Sequence, residues 1–382
     1  MKIANRVLNV QEYYFSKKLV EVEALKKQGK KILNLGIGSP DLPPHPKVIE
    51  ALTMNAEKPN VHGYQSYRGI PELRVAFAEW YNAKYHVVLD SQSEILPLIG
   101  SKEGIMHICM SYLQEGDLAL VPNPGYPTYS SAVSLSGALP IYYSLSEENQ
   151  WRINRKEFEN FPYEKIKILW LNYPHMPTGV SMHEEDIEFL IELAKKKDFL
   201  ICHDNPYSFI RSEKPQSILK FKDSKEVCLE LNSLSKSHNM AGWRMGVLTG
   251  KKEYIDTVIK FKSNMDSGMF FPLQKAAIEA LRLPDEWYQN LNKIYFEREK
   301  NIHEFLDSLQ STYVKKQLGL FVWAKFPKQF KDSYSFTDKL LYENNIFVTP
   351  GEIFGSEGKN YFRVSLCNPN EVVKEAIERI KK

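Results

Sequence analysis

A lysine set among serines is the first group in this sequence that invites chemistry. The stretch Ser233 to Gly246 reads S-L-S-K-S-H-N-M-A-G-W-R-M-G, with Lys236 inside S-x-S-K-S and Arg244 between Gly242 and Gly246. It follows a strand-like apolar run at 227–232, so the lysine stands at the end of a buried strand. Desolvation and a neighbouring cation both lower an amine's pKa, and a neutral amine condenses with an aldehyde to a Schiff base. Serine hydroxyls and an arginine fork suit a phosphate. One small ligand carries both an aldehyde and a phosphate, pyridoxal 5'-phosphate. A surface loop with one lysine and one arginine would be spelled the same way, so the rest of the chain must decide.

Other residues offer complementary chemistry, each with a plain structural use beside it. Gly100-Ser101-Lys102-Glu103-Gly104 opens a helix whose amides and dipole suit a phosphate; an ordinary N-cap by Ser101 is the alternative. Asp204, in C-H-D-N-P-Y, would hold a pyridine nitrogen protonated and make the ring an electron sink, or cap the turn before Pro206. Tyr207, three residues on, is placed to bond a ring phenolate oxygen. Tyr126, in N-P-G-Y-P-T-Y, would stack on the ring or simply pack in a proline-rich turn. Arg363, in Y-F-R-V-S-L-C, would grip a substrate carboxylate by a bidentate pair, or point to solvent from an alternating strand.

The elements that must position these groups follow from hydrophobic periodicity. Strands are predicted at 95–99, 117–121, 138–142, 167–172, 199–203, 227–232 and 245–249, most of them separated by helical patterns such as 102–113 and 184–195. Alternating strands and helices predict a largely parallel sheet covered on both faces. Ligands of such sheets bind outside the carboxyl ends of the strands, and Ser101, Asn172, Asp204, Ser233 and Lys236 all fall there. Upstream, a helix is predicted over 12–28 and a short strand over 32–35. That strand runs into G-I-G-S-P-D, where Pro40, Pro43, Pro44 and Pro46 forbid the helix a dinucleotide fingerprint needs; the glycines serve close approach of backbone to a ligand. Pro71 falls in the first turn of another predicted helix.

Composition bounds the class. A chain of 382 residues exceeds what one core usually supports, predicting two domains or one large and one small. Fifty basic and 47 acidic residues, in no long run of one sign, point to neither nucleic acid nor membrane as a partner. Four scattered cysteines without C-x-x-C argue against a disulfide framework or a metal site and for a reducing compartment. No apolar stretch of membrane-spanning length and no signal-peptide pattern is visible, so a cytoplasmic location is expected.

Together these residues resemble the class I/II aminotransferases of the fold type I pyridoxal-phosphate enzymes, from N-L-G-I-G-S-P-D near the N-terminus to Y-F-R-V-S near the C-terminus. The family's S-x-S-K and G-x-R-x-G are matched by Ser233, Ser235, Lys236, Gly242, Arg244 and Gly246, its D-x-x-Y by Asp204 and Tyr207, and its P-x-Y-P by Tyr126. The resemblance implies that Arg363 and Gly38 bind the substrate carboxylate and that Tyr64 is lent by a partner subunit of a homodimer with shared active sites. Ser101, Lys102 and Asn172 join the cofactor-binding set. It further implies an α/β fold, with a large domain over 46–285 carrying a mostly parallel seven-stranded sheet. A smaller α+β domain is formed by 286–382, joined by the segment 1–45.

The activity so implied is transfer of an amino group between an L-amino acid and a 2-oxo acid, with Lys236 carrying the cofactor as a Schiff base and then moving the substrate's α-proton. One position departs from the family: its N-P-T-G reads Met176-Pro-Thr-Gly179 here. Methionine cannot donate to the cofactor's ring oxygen, leaving Asn172 or His175 as substitutes; the Met176–Pro177 bond is expected cis. The amino acid used is not readable. Residues 262–269 resemble LL-diaminopimelate aminotransferases, while the whole also resembles aspartate and aromatic aminotransferases. The rivals are a carbon–sulfur β-lyase on the same scaffold and a non-catalytic cofactor-binding module, which the lack of a DNA-binding extension disfavours.

Overall fold

The computed structural model describes residues 1–8 and 10–381. Its strands, in chain order, are β1 (Leu33–Asn34), β2 (Ile95–Leu98), β3 (Leu118–Asn123), β4 (Leu139–Ser144), β5 (Ile166–Asn172), β6 (Leu200–Asp204) and β7 (Cys228–Ser233). They continue with β8 (Gly246–Gly250), β9 (Thr312–Tyr313), β10 (Phe321–Lys325), β11 (Ile346–Phe347), β12 (Thr349–Pro350) and β13 (Tyr361–Ser365). The seven strands read from the sequence are β2 to β8, and they form one sheet in the order β2-β8-β7-β6-β5-β3-β4.

Runs such as I-K-I-L-W-L-N (β5) and L-I-C-H-D (β6) are buried almost throughout, because helices cover both faces of the sheet. Pairing is parallel from β7 to β4, and β8 runs against both of its neighbours. That reversal matters for the site. Strands β2 and β7 end, and β8 begins, at the same edge, where Leu98 and Ser233 both pair with Gly246. The residues before β8, including Arg244, therefore arrive at the edge where the other strands finish.

Helices start where the sequence supplies local reasons. Pro46 and Pro71 occupy the first turns of Pro46–Ala56 and Pro71–Tyr85, where a missing N–H costs nothing. Glu184–Lys197 carries three acidic residues in its first turn and three lysines in its last, complementing the helix dipole. Among the described residues no helix is long and apolar enough to cross a membrane.

A second layer is built from β12-β13-β10-β9, all antiparallel, with the helices Ser333–Asn344 and Asn370–Lys381. The N-terminal segment joins it through β1, which pairs parallel with β11 at Leu33–Ile346 and Asn34–Phe347. The predicted strand over 32–35 is thus only two residues long, and the helix predicted over 12–28 runs from Tyr14 to Lys27.

Candidate active site

A cavity of about 380 Å³ opens at the carboxyl edge of the large sheet, walled on its other side by the small layer and the N-terminal segment. Ser101, Lys102, Tyr126, Asn172, Asp204, Tyr207, Ser233, Ser235, Lys236, Arg244, Gly38 and Arg363 all line it. Tyr64 does not; its side chain stands 91 % exposed on the surface of this chain.

Lys236 sits in a single helical turn, Leu234–Ser237, begun by Ser233, whose Oγ accepts from the amide of Ser235. Its Nζ donates to the carbonyl of Gly38 at 2.7 Å. Burial lowers the amine's pKa, and the cationic Arg363 and Arg244 add to the effect, although Cys367 opposes it. This is the condition that a condensing amine needs. Gly38 is required by space, since a Cβ there would stand 2.1 Å from the Phe321 ring.

At one end of the cavity the helix Ser101–Tyr112 presents its N-terminus. Its N-cap is Gly100 at φ 85°, not Ser101, so the Ser101 hydroxyl is not used as a cap. A Cβ on Gly100 would lie 2.2 Å from Nη2 of Arg244, and one on Gly246 would lie 2.7 Å from the Ser101 amide nitrogen. Bare backbone, a helix N-terminus and an arginine converge here, with the hydroxyls of Ser233 and Ser235 2.9 Å apart on the same wall. Such a cradle suits an anion with several oxygens.

At the floor, Asp204 is buried with Oδ2 accepting from the Tyr129 hydroxyl at 2.9 Å, while Oδ1 has no partner. It does not cap the turn before Pro206. Burial pushes its carboxyl up to about 6, although Tyr129 and the neighbouring His203 both favour the charged form. An unpartnered buried carboxylate oxygen facing a cavity is the complement of a protonated ring nitrogen. Asn172 braces this floor: Nδ2 donates to the Asp204 carbonyl at 2.7 Å and Oδ1 accepts from the Met176 amide at 2.9 Å.

At the opposite end lies Arg363, only 4 % exposed, so the solvated alternative does not hold. Its Nη2 donates to the Gly36 carbonyl at 3.0 Å, its Nη1 meets Met176 Sδ at 3.1 Å, and its Nε is buried without a partner. None of the three nitrogens meets a carboxylate among the described residues, and burial draws its pKa down to about 10. A desolvated guanidinium of this kind is poised for a carboxylate from outside the chain.

Met176 stands against the cavity, and the Met176–Pro177 bond is cis, as expected. His175 lies behind it, outside the cavity lining, its Nδ1 paired with Thr178 Oγ1 at 2.7 Å. Burial holds His175 near 3, neutral at physiological pH.

Sequence reasoning missed several walls. Tyr129, in sequence only the last letter of the Tyr126 motif, holds Asp204 and stacks on Trp170, with ring centroids 5.2 Å apart and planes 6° apart. Tyr13, Phe15, Phe321 and Phe354 also line the cavity. Nothing in their local pattern separates them from core aromatics. Away from the cavity, Glu103, His107 and Asp266 form a cluster of metal-ligand type, but Lys262 Nζ already lies 2.8 Å from Asp266.

The residues present fit pyridoxal 5'-phosphate: a lysine whose pKa is lowered, an anion cradle, an unpartnered buried carboxylate oxygen and a guanidinium that meets no carboxylate among the described residues line one cavity. Comparison with known proteins agrees. The family model described as aminotransferase class I and II matches residues 30–380. An LL-diaminopimelate aminotransferase of Halothermothrix orenii is 37 % identical over 383 residues, covering 100 % of this chain and 98 % of its own length. One from Aquifex aeolicus is 39 % identical over 356 residues, covering 93 % of this chain and 92 % of its own. The solved structure of substrate-bound BacF from Bacillus subtilis superposes with a TM-score of 0.94 at 35 % identity, covering 100 % of this chain and 98 % of that one.

Proposed function

The chain belongs to the class I and II aminotransferases, and from that premise we propose how its own residues carry the reaction. It is a pyridoxal-phosphate-dependent enzyme that moves an amino group between an amino acid and a 2-oxo acid. When bound, the cofactor supplies an electron sink for the carbanion left as the substrate's Cα–H bond breaks.

In this reading Lys236 would hold the cofactor through its aldehyde carbon, and its amine is the base that takes the proton from the substrate's Cα. Arg363, with the backbone at Gly38, holds the substrate carboxylate and so fixes which Cα bond faces the base. Asp204 keeps the ring nitrogen protonated, with Tyr129 and Asn172 holding it in place. Ser101, Lys102, Ser233, Ser235 and Arg244 take the phosphate, Tyr126 flanks the ring and Tyr207 bonds its oxygen. Tyr64, exposed on its own chain, fits a role across the interface of a homodimer with shared sites. A working division into 1–45, 46–285 and 286–382 is supported by the pairing of β1 with β11. A cytoplasmic location is supported by the four free, buried cysteines.

The observation that carries the reading is a single cavity lined by a desolvated lysine and by a buried arginine that meets no carboxylate among the described residues. The test is a half-reaction by absorption spectroscopy on protein loaded with pyridoxal phosphate. Addition of an L-amino acid alone should bleach the lysine-bound band, raise the pyridoxamine band and release one equivalent of 2-oxo acid. A persistent band with accumulating pyruvate would indicate a lyase instead.

A further inference from the structure

We propose that Lys262, with Asp266, is a positioning residue for Tyr64 and so acts on the partner subunit's cofactor rather than on its own chain's; this rests on the shared-site reading above and deepens it. Tyr64 is 91 % exposed and lies in a stretch, residues 57–70, that forms neither helix nor strand. A ring so exposed gains nothing from burial, and surface loops are ordinarily mobile. This loop is instead fastened at four points. The His62 ring stacks on Phe270 with centroids 6.1 Å apart, and the Tyr67 carbonyl accepts from Lys262 Nζ at 3.0 Å. Arg68 pairs with Asp256 at 2.5 Å, and the Ile70 amide donates to Gln274 Oε1 at 2.8 Å.

Among these fastenings Lys262 stands apart. Lysine is almost never fully buried unless it is paired, and Lys262 is buried at the end of the helix Lys252–Lys262. Its Nζ lies 2.8 Å from Asp266 Oδ2. Asp266 Oδ1 in turn accepts from the Gly268 amide at 2.9 Å. Gly268, at φ 80°, lies so close to the loop that a Cβ there would stand 2.4 Å from the Gln65 carbonyl oxygen. The pair therefore fixes the backbone from Gln65 to Tyr67, directly after Tyr64. A buried ion pair is a poor source of stability, because desolvating both charges offsets their attraction. Setting the direction in which Tyr64 leaves the chain is a use that fits its place. Tyr67, Met265 and Phe270, on the same two segments, are exposed as well. Such an apolar surround suits coverage by a second copy of this chain.

The pair also lies near its own chain's site. Atoms of Glu103, His107 and Asp266 come within 4.8 Å of one another, and Glu103 and His107 belong to the helix that opens the anion cradle. Geometry thus offers two routes, through the loop to the partner or through the helix to the same chain. The loop is favoured because Lys262 bonds it directly, whereas among the described residues its Nζ makes no hydrogen bond to that helix.

Hybrid dimers of differently tagged chains separate the routes. The variant is Lys262→Met with Asp266→Asn, which leaves no buried charge unpaired and keeps an acceptor for the Gly268 amide. Lys236→Ala in one chain of each hybrid leaves one site able to form the lysine-bound band, which is titrated with pyridoxal phosphate. With the variant in the chain that retains Lys236, the working site receives Tyr64 from an unaltered chain, and half-saturation should match wild type. With the variant in the Lys236→Ala chain, the working site receives a misdirected Tyr64, and half-saturation should rise about tenfold, as for Tyr64→Phe. Gly268→Ala crowds Gln65 from outside the buried pair; it should give the same pattern and decides the matter if the first variant does not fold. Equal half-saturation in the two hybrids, or the opposite order, overturns the proposal, as does a protein that sediments as a monomer. The expected asymmetry without amino transfer from any donor would leave Lys262 standing and sink the aminotransferase reading. Amino transfer by the wild type with indistinguishable hybrids would do the reverse, and no lysine-bound band in any form would sink both.

Discussion

Nη1 of Arg363 meets Sδ of Met176 at 3.1 Å, so a thioether stands beside the buried guanidinium where the family's motif has an asparagine. The sulfur accepts weakly and donates nothing. Asn172, which lines the cavity, has its carbonyl committed to the Met176 amide and one N–H committed to the Asp204 carbonyl. His175 lies outside the cavity lining.

Met176→Asn should therefore restore a donor to the cofactor's ring oxygen and stabilise its anionic form. The pH midpoint of the visible band of the lysine-bound cofactor should fall in the variant. A midpoint that stays put or rises would show that another group already supplies the donor.

Asp204→Asn separates stability from function. Burial raises the carboxyl from 3.8 to about 6, so the folded state holds a proton that the unfolded state has released. Stability is thus greatest below the unfolded pKa and is lost as pH rises through about 6. At roughly 1.4 kcal/mol per unit, the cofactor-free protein loses about 3 kcal/mol by neutral pH. The asparagine variant should be more resistant to urea above pH 6 without cofactor, with the advantage fading towards pH 4, while kcat collapses. A stability difference independent of pH would refute this account.

Tyr129→Phe removes the one hydrogen bond to Asp204 Oδ2 and leaves the stack on Trp170 intact. A bond to a charged acceptor contributes about 1.5–3 kcal/mol, so kcat should fall roughly 10- to 100-fold. Because that bond favours the ionised carboxylate, the acid limb of the pH–rate profile should also move upward. A merely structural role would lower the rate without moving the limb.

Lys236→Ala should abolish turnover, by at least about 10³-fold as for other residues that act as a unit with their site, and should erase the lysine-bound band. The far-ultraviolet circular dichroism should be unchanged, since the side chain's hydrogen bond is to the Gly38 carbonyl rather than to the core. Residual activity near wild type would place the chemistry elsewhere.

Much of this was legible in the amino acids alone. The seven strands of the large sheet and the helices between them follow from local apolar periodicity, which burial on both faces enforces. Because parallel strands end at one edge, residues at or just beyond the strand ends, Ser101, Asn172, Asp204 and Lys236, gather at that edge, and strand order in the sequence is enough to put them there. The departure at Met176 was equally visible, as one changed letter in a short motif.

Tertiary structure decided the rest. The reversal of β8, which brings Arg244 to the phosphate end, depends on hydrogen-bond register between strands, and apolar pattern does not report strand direction. Arg363 and Met176 lie 187 residues apart, and whether a strand arginine faces water or a cavity depends on which layer covers it. The same is true of Phe15, Phe321 and Phe354, whose letters match those of any core aromatic. Residue type and short spacing determined which chemistry this chain is equipped for; long-range packing, which alone sets side-chain direction and neighbours, decided which groups meet and what is left unpaired for a substrate.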